Sequence, residues 1–203
     1  MALTKLEIYN LALGHIGQIT TIGSENENST ERRLCDRFYT NAREECLADF
    51  DWPFARAFTT LSLTTSANPP VGYTYEYNYP ASCFRTRYIM GTTRAWIDRV
   101  PFEVAWNGTA KVILTDRQSA ELAFTRDVTS ESEFDPQFTT ALSFKLASRL
   151  AVPIAQDGNI ATLMMQQYMQ TMQNARNSTL DERVGEPNRN PQSTNDISEA
   201  RFA

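Results

Sequence analysis

The chain has 203 residues, 41% of them hydrophobic, with a formal charge of −5 from 19 basic and 24 acidic side chains. That balance excludes a general affinity for nucleic acid, because phosphate binding needs clustered Lys and Arg. Three cysteines, an odd count with no C-x-x-C pair, exclude a closed disulfide framework and favour reduced thiols in a cytosol-like compartment. The length suits one domain with appendages or an insertion. Abundant Asn, Gln, Ser and Thr suit large polar surfaces better than the thick core of a compact enzyme.

The opening "MALTKLEIYNLALGHIG" carries Lys5 and Glu7 inside its apolar run, which is not the pattern of a signal peptide. No apolar run approaches the roughly 20 residues of a spanning helix, so a soluble protein is expected. Thr4-Lys5-Leu6-Glu7 reads as a capping box. Leu6, Tyr9, Leu13 and Ile16 recur at helical spacing, and Gly17 is placed to end the helix. "ITTIGSENENST" is a polar loop. Ser29 or Thr30 then caps a second helix. Leu34, Cys35, Phe38, Tyr39, Ala42, Cys46 and Leu47 make its apolar face. Glu31, Arg32, Arg33, Asp36, Arg37, Arg43 and Glu44 make its polar face.

Residues 59–126 read as a β-rich insertion built largely as a meander. "TTLSLTT" alternates, and "YTYEYNY" places Tyr73, Tyr75, Tyr77 and Tyr79 on one face. "CFRTRYIM", "TRAWIDRV", "FEVAW" and "AKVILT" read as strands. Gly91 and Asn107-Gly108 mark hairpin turns, the second with a type I′ signal. Helix returns at Asp135, a cap followed by Pro136 at the first helical position. Phe138, Leu142, Leu146, Leu150 and Ile154 form a stripe, and Pro153 should kink the last turn. A fourth helix over about 160–179 carries Leu163, Met164, Tyr168, Met172 and Ala175 on one face. The end, "GEPNRNPQSTNDISEARFA", lacks periodicity and apolar content.

The expected fold is therefore α+β. Residues 1–58 and 127–180 form a four-helix bundle of two N-terminal and two C-terminal helices. Residues 59–126 form the insertion, and 181–203 an extended C-terminal tail.

Chemistry has few carriers. His15 is the sole histidine, between Leu13 and Ile16 at a helix end, and reads as a half-buried partner of the helix dipole. Cys35 and Cys46 occupy core-like positions and Cys83 adjoins a strand, as small hydrophobes do. Glu131, Glu133 and Asp135 form one carboxylate group. Glu44, Glu45, Asp49 and Asp51 form another. Either could supply a glycosidase-type acid and base, although capping and a solvated face also account for them. No Gly-rich phosphate loop is present. Met164, Met165, Met169 and Met172 read as core or subunit interface. "DFDWPFARAF", where the second helix ends, is open to two readings: a ligand box, or a hinge core in which Trp52, Pro53 and Phe54 join helices to sheet. No cofactor, metal or catalytic residue is assigned.

Four stretches, in order, resemble tail tubular protein A, the head-to-tail adaptor family of short-tailed bacteriophages. "LEIYNLALGHIGQITTI" is similar to its N-x-A-L-x-x-I-G opening. Tyr39, Arg43, Leu47, Trp52, Phe54 and Ala55 match a Y-x-x-x-R-x-x-x-L-x-x-x-x-W-x-F-A pattern. Tyr75, Tyr77, Pro80, Cys83 and Arg85 match a Y-x-Y-x-L-P-x-D-C-x-R strand, with Tyr79 and Ser82 departing from it. "FDPQFTTALSFKLASRLA" resembles its third helix. The resemblance covers about residues 3–178. It implies a structural protein of the virion, assembled from the host cytoplasm into a dodecameric ring at the head–tail junction. The helical part would pack laterally, and the ring would bind the portal protein above and the tail nozzle below. It could also seat a fibre or spike. DNA would pass through the lumen without specific binding, and no membrane is involved. The C-terminal extension would climb onto the portal, with Ile197, Arg201 and Phe202 as its contacts. The competing class is a tail-associated peptidoglycan-degrading enzyme that uses one of the carboxylate pairs; a DNA-binding module is disfavoured by the charge.

Overall fold

The computed structural model of the chain describes residues 3–64, 72–92 and 98–182. In chain order its elements are α1 (Lys5–His15), α2 (Thr30–Asp49), β1 (Arg56–Thr60), β2 (Tyr75–Asn78), β3 (Cys83–Ile89), β4 (Phe102–Trp106), β5 (Lys111–Thr115), β6 (Glu121–Arg126), α3 (Pro136–Leu150) and α4 (Gly158–Glu182).

Local chemistry starts and stops the helices. The Thr4 hydroxyl accepts from the Glu7 amide at 3.3 Å, and the Thr4 amide donates to the Glu7 carboxylate at 2.6 Å. At the other end Gly17 takes a φ of +81°, open to glycine at little cost. The Gly17 and Gln18 amides donate back to the carbonyls of Gly14 and Leu13, closing α1 in a Schellman turn. In the following loop the Asn10 side chain bonds both the amide and the carbonyl of Ile22, which pins Ile22 in the core. Ser29 caps α2 through the Arg32 amide. Pro136 opens α3, but Asp135 caps it only through its carbonyl, which accepts from the Thr139 amide at 2.9 Å. Pro153 sits in a π-helical turn, Ala151–Ala155, that ends α3 with Gln156 in the left-handed region.

The helices do not form a four-helix bundle, contrary to the expected architecture. α1, α2 and α4 each make their extensive close approach to α3, and the sheets are a structural layer of equal standing. In such a bundle every helix keeps one outward face. α3 has buried side chains around most of its circumference, including Thr139, Ser143 and Lys145 as well as its leucines. Its small residues Ala141, Ser143 and Ala147 let neighbours approach from several directions. The arrangement is α+β: three helices ranged on a central fourth, with two three-stranded antiparallel sheets.

Those sheets have strand orders β1-β6-β3 and β2-β5-β4. Their facing side chains share one small core. Ile89, Leu122 and Phe124 come from the first sheet, Tyr77 and Ile113 from the second. β6 is central in its sheet, yet "ELAFTR" carries only a short alternation beside stronger signals and was not among the expected strands. β4 and β5 form the expected hairpin at Asn107-Gly108. Only Gly108 has positive φ there, which excludes a type I′ pair. The Asn107 carboxamide accepts from the Thr109 and Ala110 amides and so stabilises the reversal.

Other expectations need correcting. Arg43, assigned to the polar face of α2, is buried. Leu163, assigned to the buried face of α4, is 49% exposed, whereas Met164, Tyr168, Met172 and Ala175 are buried. A helical face about one residue wider than the true contact admits Leu163 to the stripe. α4 runs through Glu182, two residues into the segment taken as tail. The rest of that tail, with Ile197, Arg201 and Phe202, lies outside the described residues, as does most of "TRAWIDRV".

Gly91, between the antiparallel partners Ile89 and Val100, is a point of close approach. A Cβ placed there would lie 1.7 Å from the Asp98 carbonyl oxygen, a backbone atom that cannot swing aside. Gly91→Ala is therefore expected to destabilise the protein by about 1–3 kcal/mol through overpacking; a urea midpoint equal to that of the parent chain would refute this.

Candidate functional site

The residues marked out by the sequence converge on the joints between the helices and the sheets. The first joint begins at the end of α2. Pro53 disfavours helical geometry in the residue before it, and Trp52 is extended, with φ −63° and ψ 128°. The helix stops, leaving its last carbonyls without intrahelical partners. α2 has no basic residue in its last turn to answer them.

The partners come from elsewhere. The Trp52 indole donates to the Cys46 carbonyl at 2.8 Å. Arg87 of β3 donates to the carbonyls of Leu47 at 2.8 Å, Ala48 at 3.3 Å and Phe50 at 2.5 Å, and its Nε donates to Thr125 of β6 at 2.7 Å. Arg85, two residues away along the same strand, adds a bond to Ala48 at 2.8 Å. Burial pulls the Arg87 guanidinium below its ordinary pKa, with nearby Asp51 opposing that shift. Asp51 also receives both Nε and Nη2 of Arg56, the first residue of β1.

Trp52 itself is 1% exposed and belongs to the helical core. It meets Phe50 and Phe138 edge-on, with ring centroids 5.0 and 5.2 Å away. Phe54 is half-buried against Phe134 and Phe138. Pro53 is exposed and opens a 3-10 turn, Pro53–Ala55. Aromatic contacts thus secure this segment to the helices, and arginines tie it to the sheet.

The second joint is the return from β6 to α3. The Arg43 guanidinium is buried beside Asp127, to which it donates, and it gives a further bond of 2.6 Å to the Val128 carbonyl. Tyr39 donates to Glu131 at 2.9 Å. Burial first, then that bond, pushes the Tyr39 phenol up. Arg126 bridges the joints, donating to the Phe54 carbonyl and to Glu133.

Both carboxylate groups are therefore engaged. Glu45 faces Lys145 and Arg149 of α3. Burial acts to raise its pKa, but the bonds from these cations outweigh it and hold the carboxyl below its usual range. Asp49 accepts from the Tyr168 hydroxyl at 2.7 Å. Only Glu44 is loosely held, 3.9 Å from Arg43. Burial pushes the Cys46 thiol up to about 12, and the Cys35 thiol likewise, so neither is poised as a nucleophile.

His15 stacks on Phe144 and lies 3.1 Å from the Ser143 hydroxyl. That hydroxyl also lies 2.8 Å from the Thr140 carbonyl, to which it can donate, and the donor of the His15–Ser143 pair follows the imidazole tautomer. Burial lowers the His15 pKa. Among the described residues, no group of three His, Cys, Asp or Glu could hold a metal ion, and no helix is long and apolar enough to cross a membrane.

Sequence reasoning singled out Trp52 and Arg85 but passed over Arg87, Arg56 and Lys145. A usable signal existed: a helix with no basic residue in its last turn, followed by an Arg-x-Arg pair on one face of a strand. The chain matches no protein-family model and no curated protein.

Removing the Arg87 side chain strands several carbonyls at a partly buried helix end. Arg87→Ala should cost about 3 kcal/mol, whereas Arg85→Ala, at an exposed site, should cost under about 1 kcal/mol. Urea unfolding of the two variants tests this, and equal losses would contradict the assignment. Trp52→Ala should cost about 3–5 kcal/mol as a core deletion. An unchanged midpoint with altered ligand binding would make the cluster a ligand box instead.

Proposed function

We propose that this protein is a structural head-to-tail adaptor of a short-tailed bacteriophage, not an enzyme. In this reading copies form a ring, expected to be dodecameric, between the portal protein and the tail nozzle, with DNA passing through the lumen without specific contacts. Its place is the virion, reached from the host cytoplasm. A fibre or spike is a further candidate partner.

One observation carries the proposal beyond the resemblance itself. The resembling residues fall on the joints of the fold rather than around a cleft. Tyr39 and Arg43 hold the return from β6. Leu47, Trp52 and Ala55 are buried where α2 ends, and Arg85 bonds its last turn. Tyr77 and Cys83 belong to the core between the sheets. A pattern that maintains the relation between two layers suits a protein whose product is a shape. The engagement of Glu45, Asp49, Asp51, Glu131 and Glu133 by cations or phenols also supports it, since a general acid needs a carboxyl held protonated.

The deciding experiment mixes the full chain with purified portal rings of the same virus. Co-sedimentation, with an added tier in electron micrographs, is expected. Absence of co-sedimentation, with the C-terminus intact, would overturn the reading. A parallel assay on purified peptidoglycan should give no release of soluble fragments; release abolished by Glu133→Gln would favour the wall-degrading class.

A further inference from the structure

Asn107-Gly108 is the only Asn-Gly pair in the chain, and its surroundings do more than reverse the backbone. The Asn107 carboxamide is fixed at both ends. Its oxygen accepts from the Thr109 amide at 3.0 Å and from the Ala110 amide at 2.9 Å. Its nitrogen donates to Oε1 of Glu76 at 2.8 Å, across 31 residues of chain. This orientation of the carboxamide follows from its partners, because backbone amides only donate and a carboxylate accepts.

Glu76 is an uncommon partner. It pairs with Leu114 across β2 and β5, on the sheet face opposite Tyr77 and Ile113 of the core between the sheets. It is nonetheless only 5% exposed. Among the described residues, Asn107 alone bonds its carboxylate. Gly108 has a φ of +94°, and a Cβ placed on it would meet nothing within 4 Å, so the space beside it is open. Among the described residues, none accepts from its amide.

These are the parts of an acyl transfer. Two N–H donors on a carbonyl oxygen stabilise the oxyanion that forms when its carbon is attacked. A carboxylate in contact with the departing nitrogen can carry a proton to it. The amide nitrogen of the next residue is held near the Asn107 side chain by the backbone itself, which removes the entropy cost of bringing the two together.

We infer that Asn107 is a self-modification site: the Gly108 nitrogen attacks Asn107 Cγ, the Thr109 and Ala110 amides hold the oxyanion, and Glu76 moves the proton. The bond from Cγ to the Gly108 nitrogen forms, and the bond from Cγ to Nδ2 breaks. The proton lost by the Gly108 nitrogen passes through Glu76 to Nδ2, which leaves as ammonia. Water then opens the cyclic imide at either carbonyl and leaves aspartate or isoaspartate at position 107. Only water is consumed, and nothing is oxidised or reduced.

The step is one-way and alters the sheet. Aspartate sets a second carboxylate against buried Glu76 where a donor stood, and like charges at short range in a poorly solvated site repel strongly. Isoaspartate adds a carbon to the backbone at the turn between β4 and β5. Either product loses the bond that ties the tip of this hairpin to β2.

Mass spectrometry of the full chain tests this. The chain is incubated at neutral pH, folded in one sample and unfolded in guanidinium chloride in another. Peptides that contain Asn107 are then read for the mass shift of an amide converted to an acid, and for the two isomers. Asn28 and Asn177, each followed by Ser, serve as internal references. Conversion at Asn107 should run about tenfold faster in the folded chain than in the unfolded one. Glu76→Gln should remove that advantage, by about tenfold, and leave the unfolded rate unchanged. Asn107→Asp should lower the urea midpoint of the parent chain more than that of the Glu76→Gln chain. Conversion no faster in the folded parent than in the unfolded parent would overturn the inference, and this comparison needs no variant to fold. A Glu76→Gln chain that folds and keeps the parent's folded rate would overturn it as well.

Discussion

The carbonyl end of α2 is a concentration of unmatched acceptors carrying the negative end of a helix dipole. Left half-buried and unanswered, it would cost several hydrogen bonds at once. Arg87 answers it from β3, and its Nε simultaneously holds Thr125 of β6. One planar guanidinium thus fixes the last turn of a helix against two adjacent strands, which a lysine point charge could not do in the same geometry. This clamp ties the sheet of β1, β6 and β3 to the helices.

The second crossing repeats the solution. Where β6 returns to the helical layer, buried Arg43 holds the chain through Asp127 and the Val128 carbonyl. The two arginines lie on opposite partners: Arg87 reaches from sheet to helix, and Arg43 from helix to the segment leaving the sheet. Between them Arg126 bonds Phe54 and Glu133, coupling the two crossings. Apolar packing forms one core among the helices and one between the sheets, with Phe84 of β3 packed against the helical one. Directional polar bonds set the angle between the layers, because hydrophobic burial alone is non-directional.

This division bears on function. A pattern of residues spent on relative orientation leaves the outer surfaces free to differ, and it is there that assembly would be encoded. α2 is clothed in charge, whereas α4 shows amides, Met169 and Leu163 to solvent.

Periodicity and capping chemistry were enough to read the four helices, their starts at Thr4, Ser29 and Asp135, and the break near Pro153, because these are decided within a few residues of chain. The Asn107-Gly108 reversal was legible for the same reason. Trp52 was marked by composition, and its burial against Phe50 and Phe138 follows from the helix stop that Pro53 enforces. What only tertiary structure decided is what depends on residues far apart in sequence. α3 became the centre of the helical layer because Ala141, Ser143 and Ala147 admit neighbours on several sides. β6 became a central strand because β1 and β3 pair with it from either side. Arg43 and Arg87, polar by every local rule, became half-buried or buried anchors because Asp127 and the carbonyls of α2, distant in the chain, were brought to them. Local rules act over a turn of helix, whereas the cost of an unpaired buried group is settled only when the whole chain has closed around it.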